Sequence, residues 1–189
     1  PSKGNASPGA REIRFVFSES GEAGEGKTRP KVSALISAPI LRTGEFSGSL
    51  VCLLDFDRIA HRFLETLRPG NTGGAWMIDR EGLFAAHYEA ALVGRDAFSA
   101  RRDRNPDFSY ERIDRIMREK MLGGATGIDE YVTLWHREKE GAIRKLIAYA
   151  PVRVGGLIGS LAVVVPYSDV TEVVWASFKS SLWLLGIMA

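Results

Sequence analysis

The sequence has a single cysteine, no concentration of charge of one sign, and no uninterrupted apolar run of membrane-spanning length. One thiol, Cys52, rules out a disulfide within the chain, and its place in the apolar run Leu50 to Leu54 predicts a buried, unreactive side chain. The 25 Lys and Arg nearly cancel the 23 Asp and Glu, leaving a formal charge of +2. The basic footprint of a nucleic-acid binder is therefore missing, and nucleic acid is set aside as a partner. Signatures of catalysis are missing as well. A nucleophile elbow, an HExxH zinc pair, CxxC pairs and a dinucleotide fingerprint do not occur. The phosphate-loop spacing is met by Gly21, Gly26, Lys27 and Thr28, but the chemistry around it is wrong. Glu22 and Glu25 would face the phosphates, and Arg29-Pro30 would stop a helix after one turn. The segment from Glu19 to Arg29 reads instead as a solvated surface loop.

What is present suits a globular domain: 189 residues, 45% of them apolar, can bury a sizeable core. The chain begins with Pro1 and a Pro/Gly/Ser-rich stretch, so we expect it to start within a longer protein. After Thr171 the sequence becomes apolar, with no charged residue among the ten that follow Lys179. A spanning helix needs about 20 such residues. The segment reads as the start of a transmembrane helix, with Trp175 and Trp183 at the interface and Lys179 snorkelling outward. The alternative is an amphipathic helix docked on the domain.

Periodicity predicts strands at Arg11–Ser18, Lys31–Leu41 and Gly48–Phe56, the last two joined by a turn at Gly44. A helix follows, with Phe56, Ile59, Ala60, Phe63, Leu64 and Leu67 on one face and Asp55 or Asp57 as its cap, ending at Arg68-Pro69-Gly70. A second unit then opens. Strands Ala75–Ile78 and Leu83–Tyr88 flank a turn at Asp79-Arg80-Glu81-Gly82, where the Asp79 carboxylate can close an Asx-type turn. The stretch Ala90–Asp107, with Arg95, Arg101, Arg102 and Arg104, reads as a basic, solvated loop. Helix Ser109–Leu122 ends at Gly123-Gly124, and strands Ile128–Trp135, Ile143–Val154 and Leu157–Pro166 complete the unit. The simplest solution for β-β-α-β-β-β is α+β, an antiparallel five-stranded sheet with a helix packed on one face. A last helix follows Pro166, capped by Ser168 or Asp169.

Five stretches together resemble the double Cache family of extracytoplasmic sensor domains, in which two PAS-like units stack on a long first helix between two membrane spans. They are SAPILRTGEFSGSLVCLLDFDRI from Ser37, TGGAWMIDREGLFAAH from Thr72, LVGRDAF from Leu92, KLIAYAPV from Lys145 and GSLAVVVPYSDVTEVV from Gly159. Where the family often has His-Pro after the second strand, this chain has His87-Tyr88. The resemblance implies a remnant of a membrane-distal unit over residues 1–68, a membrane-proximal PAS-like unit over 69–168, and an exit helix entering the membrane over 169–189. It further implies a periplasmic input domain of an inner-membrane receptor, a homodimer that binds a small molecule and has no catalysis or cofactor of its own. The first expectation for the output is a sensor histidine kinase, with a chemoreceptor or diguanylate cyclase as alternatives. A soluble α+β binding protein or enzyme is the rival from another class.

The inward sheet face would carry the ligand contacts, and its polar or aromatic candidates are Trp76, His87, Tyr88, Tyr131, Trp135 and Tyr149. The same pattern also describes an ordinary aromatic core. Asp57 and His61 stand at i and i+4, a spacing metal ligands can use, but no third ligand lies near them in sequence, so no metal is expected.

Overall fold

The structure, a computed structural model, describes residues 12–18, 22–23, 27–28, 31–137, 139–154 and 156–172. Strand β1 (Glu12–Ser18) pairs antiparallel with β4 (Lys31–Arg42), which pairs with β5 (Glu45–Asp55), as the apolar runs around the Thr43-Gly44 turn predict. Between β1 and β4, within the predicted loop, lies a two-residue ladder of β2 (Glu22–Ala23) and β3 (Lys27–Thr28). The Cys52 expectation is wrong. The thiol is exposed, because β5 forms an edge and almost all of its side chains, Leu50 and Leu53 included, are uncovered among the described residues.

Helix α1 (Phe56–Leu64) starts where Asp55 accepts a hydrogen bond from the Arg58 N–H at 3.1 Å, and ends three residues earlier than the sequence suggests. Asp57 instead accepts from the Val32 N–H at 3.0 Å and ties the helix to β4. Its packed stripe is Phe56, Ala60 and Leu64, set against Met77, Ala85 and Ala86 together with Phe15. Ile59 and Phe63, expected on the buried face, are exposed, because a helix laid on one sheet covers a single i, i+4, i+8 line.

Strands β6 (Gly74–Asp79), β7 (Phe84–His87), β8 (Gly127–His136), β9 (Lys139–Arg153) and β10 (Leu157–Pro166) form one antiparallel sheet in the order β7-β6-β10-β9-β8. This is the predicted five-stranded α+β unit. One face meets α1 and Phe15, and the other carries the main core, so β6 is buried on both sides. The predicted helix at 109–122 opens as α-helix over Glu111–Arg115 and continues as a π turn over Ile116–Met121, with the Leu122 N–H donating to the Met117 carbonyl at 2.9 Å. The wider turn lets Ile113, Ile116, Met117 and Met121 all reach the core.

The Ala90–Asp107 stretch departs most from expectation. It holds a 3₁₀ turn at Ala90–Leu92 and a helix, α2 (Ser99–Arg104), and it buries Leu92, Ala97, Phe98, Ala100 and Arg101 in the main core. After Pro166 the chain turns directly into helix over 167–172. Asp169 is not its cap, since its carboxylate accepts from the Thr72 N–H at 2.7 Å and the Thr72 hydroxyl at 2.8 Å. The apolar segment beyond 172 lies outside the described residues, and among those described no helix is long and apolar enough to cross a membrane.

Gly82 tests the β6–β7 turn. The Asp79 carboxylate accepts from the Leu83 N–H at 2.8 Å, Gly82 sits at φ +87°, and a Cβ there would stand 2.7 Å from the Phe98 ring. Gly141, at φ +103°, has open space around it. Gly82→Ala should lower unfolding free energy in urea by about 2–4 kcal/mol and Gly141→Ala by about 1–2, the left-handed backbone term alone. Equal losses would show that the packing of Phe98 on this turn has been misread.

Candidate functional site

The inward face alternates as a strand must, so β9 presents Lys145, Ile147 and Tyr149, β8 presents Tyr131, Thr133 and Trp135, and β6 presents Trp76 and Ile78. Opposite them stand Arg101 from α2 and the stripe of the π turn. Of the six residues expected to line a pocket, Trp76, Tyr131, Trp135 and Tyr149 are brought into this one buried cluster, with Tyr88 packed against it. His87 stacks on Tyr88 at 4.4 Å and meets Phe84 edge-on at 4.8 Å. Its Nδ1 accepts from the Glu89 N–H at 2.9 Å. Burial, followed by Arg101 and Lys145, holds the His87 imidazole well below its ordinary pKa, so it is neutral. Tyr149 donates to Asp129 at 3.0 Å, beside Lys120, at the far edge of the cluster.

Two residues not foreseen in the sequence dominate the electrostatics. Arg101 is 5% exposed and Lys145 2%. The Arg101 guanidinium lies 5.5 Å from the centre of the Trp76 ring and 5.3 Å from that of Phe84. Its Nη1 donates to the Ala97 carbonyl at 2.7 Å and approaches the Met117 sulfur at 3.6 Å. The Lys145 ammonium donates to the Trp135 carbonyl at 2.9 Å. Neither cation has an ion-pair partner among the described residues. Burial first, and then repulsion from Arg101, brings the Lys145 pKa down to about 7. Burial likewise raises Tyr131, to about 12.

The carboxylates nearby are already engaged. Glu89 accepts from Trp135 Nε1 at 3.0 Å and from Arg104 at 3.2 Å, while Asp114 pairs with Arg102 through Oδ2. Asp114 Oδ1 and the Tyr110 hydroxyl are buried without a hydrogen bond of ordinary geometry. Outside the core, a cleft of about 190 Å³ runs between α1 and the β7 edge, lined in part by Asp57, His61, Glu65, His87, Tyr88 and Arg137. There His61 faces Glu65 at 3.2 Å and Asp57 is spent on Val32, and the described residues hold no group of three or more His, Cys, Asp or Glu placed to bind a metal.

Beyond the core, β8 carries these contacts toward the last helix. His136 is fully buried, and burial lowers its pKa to about 4. Its Nε2 lies 2.7 Å from the Thr72 carbonyl, which can only accept, so Nε2 carries the proton. Arg137 donates to the same carbonyl at 2.8 Å and to that of Gly73 at 3.0 Å. Burial pushes the Asp169 carboxyl up, but the two hydrogen bonds from Thr72 outweigh it and leave the group below its ordinary pKa.

No family model matches the chain, and no curated protein matches its sequence. Solved structures do match. The extracellular domain of the candidate histidine kinase mmHK1S-Z3 aligns with a TM-score of 0.58 at 20% identity over 86% of this chain and 53% of that one. The periplasmic sensory domain of the Campylobacter jejuni chemoreceptor Tlp1 gives 0.54 at 18%, over 86% and 53%. The ligand-binding domain of the Pseudomonas aeruginosa PAO1 amino-acid chemoreceptor PctB, in complex with L-Arg, gives 0.52 at 13%, over 88% and 56%. The chain thus spans about half the length of the structures it matches. The likeness shows the fold: this chain shares the α+β architecture of these three domains, with the five-stranded antiparallel sheet that the sequence predicts.

Lys145 makes this site testable without a ligand. Between pH 7 and the ordinary lysine range the unfolded chain holds a proton at this position that the folded chain does not, so stability rises with pH across that window. In Lys145→Met the gain in urea-unfolding free energy from pH 6.5 to 9.5 should be smaller than in the unsubstituted chain by on the order of 3 kcal/mol. Parallel pH curves would mean that Lys145 titrates as a solvated lysine.

Proposed function

We propose that this chain is the ligand-sensing, extracytoplasmic input domain of an inner-membrane receptor, most simply a two-component sensor histidine kinase. The observation that carries the reading is the fold, shared with sensory domains of a candidate kinase and of chemoreceptors, with β10 running into a helix at Tyr167 without a linker. A chemoreceptor output is the second reading, because two of those neighbours are chemoreceptors. In this account the domain catalyses nothing. A small molecule binds the inward face of the five-stranded sheet in a periplasmic homodimer, and any kinase activity lies beyond Ala189. The three-stranded sheet of β1, β4 and β5 is then the end of a second, membrane-distal unit.

The route to the output follows from the contacts. Lys145 holds the Trp135 carbonyl, the adjacent His136 holds the Thr72 carbonyl, and Thr72 holds Asp169 in the first turn of the exit helix. A ligand that prefers one placement of β8 over another biases the helix through these bonds, because binding shifts an equilibrium only by the difference in its affinity for the two states. A Gly-Ser insertion after Glu172 adds a flexible joint beyond Asp169, downstream of these bonds, without touching the core.

The test screens amino acids, organic acids and amines by thermal shift on the domain, then measures output of the intact receptor with any compound that raises the melting temperature. With the insertion, the thermal shift should stay within about 1 °C of the unmodified domain while the output response is lost. Output that still follows the compound after the insertion, or a screen in which nothing raises the melting temperature, would contradict the reading.

A further inference from the structure

We infer that the junction of the five-stranded sheet with the exit helix is a proton-sensitive clasp, closed while the His136 imidazole is neutral and released when a proton from the medium enters at Nδ1. The inference rests on the sensory reading and names a regulation of its output. Residues 69–73 fold tightly around the start of the exit helix. The Gly73 N–H donates to the Pro69 carbonyl at 3.1 Å, and a Cβ on Gly73 would stand 2.0 Å from that oxygen. A Cβ on Gly70 would come within 3.1 Å of both Asp169 Cβ and Val165 Cγ2. A loop fitted this closely passes a shift of Thr72 on to Asp169, which its N–H and hydroxyl hold. On the sheet side, among the described residues, Thr72 is held through its carbonyl, by His136 Nε2 at 2.7 Å and by Arg137 at 2.8 Å.

Protonation breaks this arrangement on geometric grounds. His136 is fully buried, Nε2 already carries a hydrogen, and Nδ1 has no hydrogen-bond partner among the described residues. A hydrogen on Nδ1 as well would be a buried donor without an acceptor, on a ring that has become a cation. The groups around the ring do not relieve it. Lys145 on β9 and Arg137 on β8 oppose the charge, and Lys139, opposite His136 in the β8–β9 ladder, is a third cation. Tyr88 meets the ring at 5.8 Å, and burial holds its hydroxyl in the neutral form. The Asp169 carboxylate favours the charged ring but is spent on Thr72, so a cationic imidazole gains by leaving for water. Burial first, and then Lys145, puts the clasped ring near 4, whereas the released ring titrates near 6.5. The clasp is therefore at full strength above about pH 6.5 and weakens as pH falls from there toward 4. Asp169, held below its ordinary pKa, stays ionised over that window, and Lys145, which titrates near 7, is charged through most of it.

The experiment follows amide hydrogen exchange by NMR in the whole 189-residue chain from pH 7 to pH 5, with each rate divided by that of an unfolded amide at the same pH. The Thr72 N–H, which donates to Asp169, should lose protection roughly 20-fold over that range, while the Ala162 amide in the middle of the sheet stays within about twofold. His136→Gln keeps a side-chain N–H for the Thr72 carbonyl but cannot titrate, and should flatten the Thr72 response to about twofold or less. Equal losses at Thr72 and Ala162, or an undiminished loss at Thr72 in His136→Gln, would overturn the clasp. Should His136→Gln not fold, the titration of the His136 ring in the unsubstituted chain decides, with a midpoint near 4 expected and one near 6.5 contradicting the inference. In the intact receptor, output should change between pH 7 and pH 5, and the change should vanish in His136→Gln. A receptor that answers a small molecule but not this change of pH removes the role of the proton and leaves the sensory reading standing. One that answers neither removes the sensory reading, and the exchange at Thr72 still decides the clasp.

Discussion

From inside the core, the ammonium of Lys145 holds the carbonyl of Trp135 at 2.9 Å, and much of the surrounding arrangement follows from that bond. Lys145 faces inward because strand alternation puts it in line with Ile147 and Tyr149, and the β8–β9 register sets it beside Tyr131. A charge in that position needs polar company. It has a backbone carbonyl, the Glu89 carboxylate at longer range and a second cation, Arg101, that opposes it. Burial and repulsion act in the same direction, both against the charged amine, and the packing of the aromatic wall, the π turn and α2 has to offset their cost.

The strands were legible because their alternation is strict and their turns carry their own chemistry. The Asp79 to Gly82 turn closes through the predicted carboxylate, and the five-stranded sheet follows the expected order of elements. Cys52 and Arg101 were misread in opposite directions for one reason. Hydropathy describes a segment, whereas burial depends on what arrives from elsewhere in the chain. β5 is apolar, but no described element covers it, whereas the arginine-rich stretch is polar, yet Ala97, Phe98 and Ala100 carry Arg101 into the core with them. An SARRDR helix beside an Ala-Phe pair is a signal that could have been weighed, because helical spacing puts Arg101 and Arg104 on the Ala97–Ala100 side and only Arg102 away from it. Lys145 was hidden in the same way, as a lone cation in a strand otherwise read for its aromatics.

The junction at Thr72 was legible neither from periodicity nor from motifs. Its backbone N–H and hydroxyl hold Asp169, 97 positions away, while its carbonyl holds His136 and Arg137, 64 and 65 positions away. One residue of a connecting loop thereby gathers the end of β8 and the start of the exit helix. In the proposed reading this gathers the signal as well, since a shift of β8 relative to the helix must break or stretch hydrogen bonds at a single residue. The aromatic candidates Trp76, Tyr131 and Trp135 belong to the buried cluster on the inward face of the sheet.

The central claim is that Lys145 is desolvated in a core it shares with a second cation, Arg101. Titration of the Lys145 side chain by NMR, following its ¹³Cε signal from pH 5 to 12, measures this directly. The midpoint is expected near 7, where burial and Arg101 place it. A midpoint near 10.5, the value of a lysine in water, would contradict it, because the side chain would then be solvated and the interior would hold no opposed pair of charges.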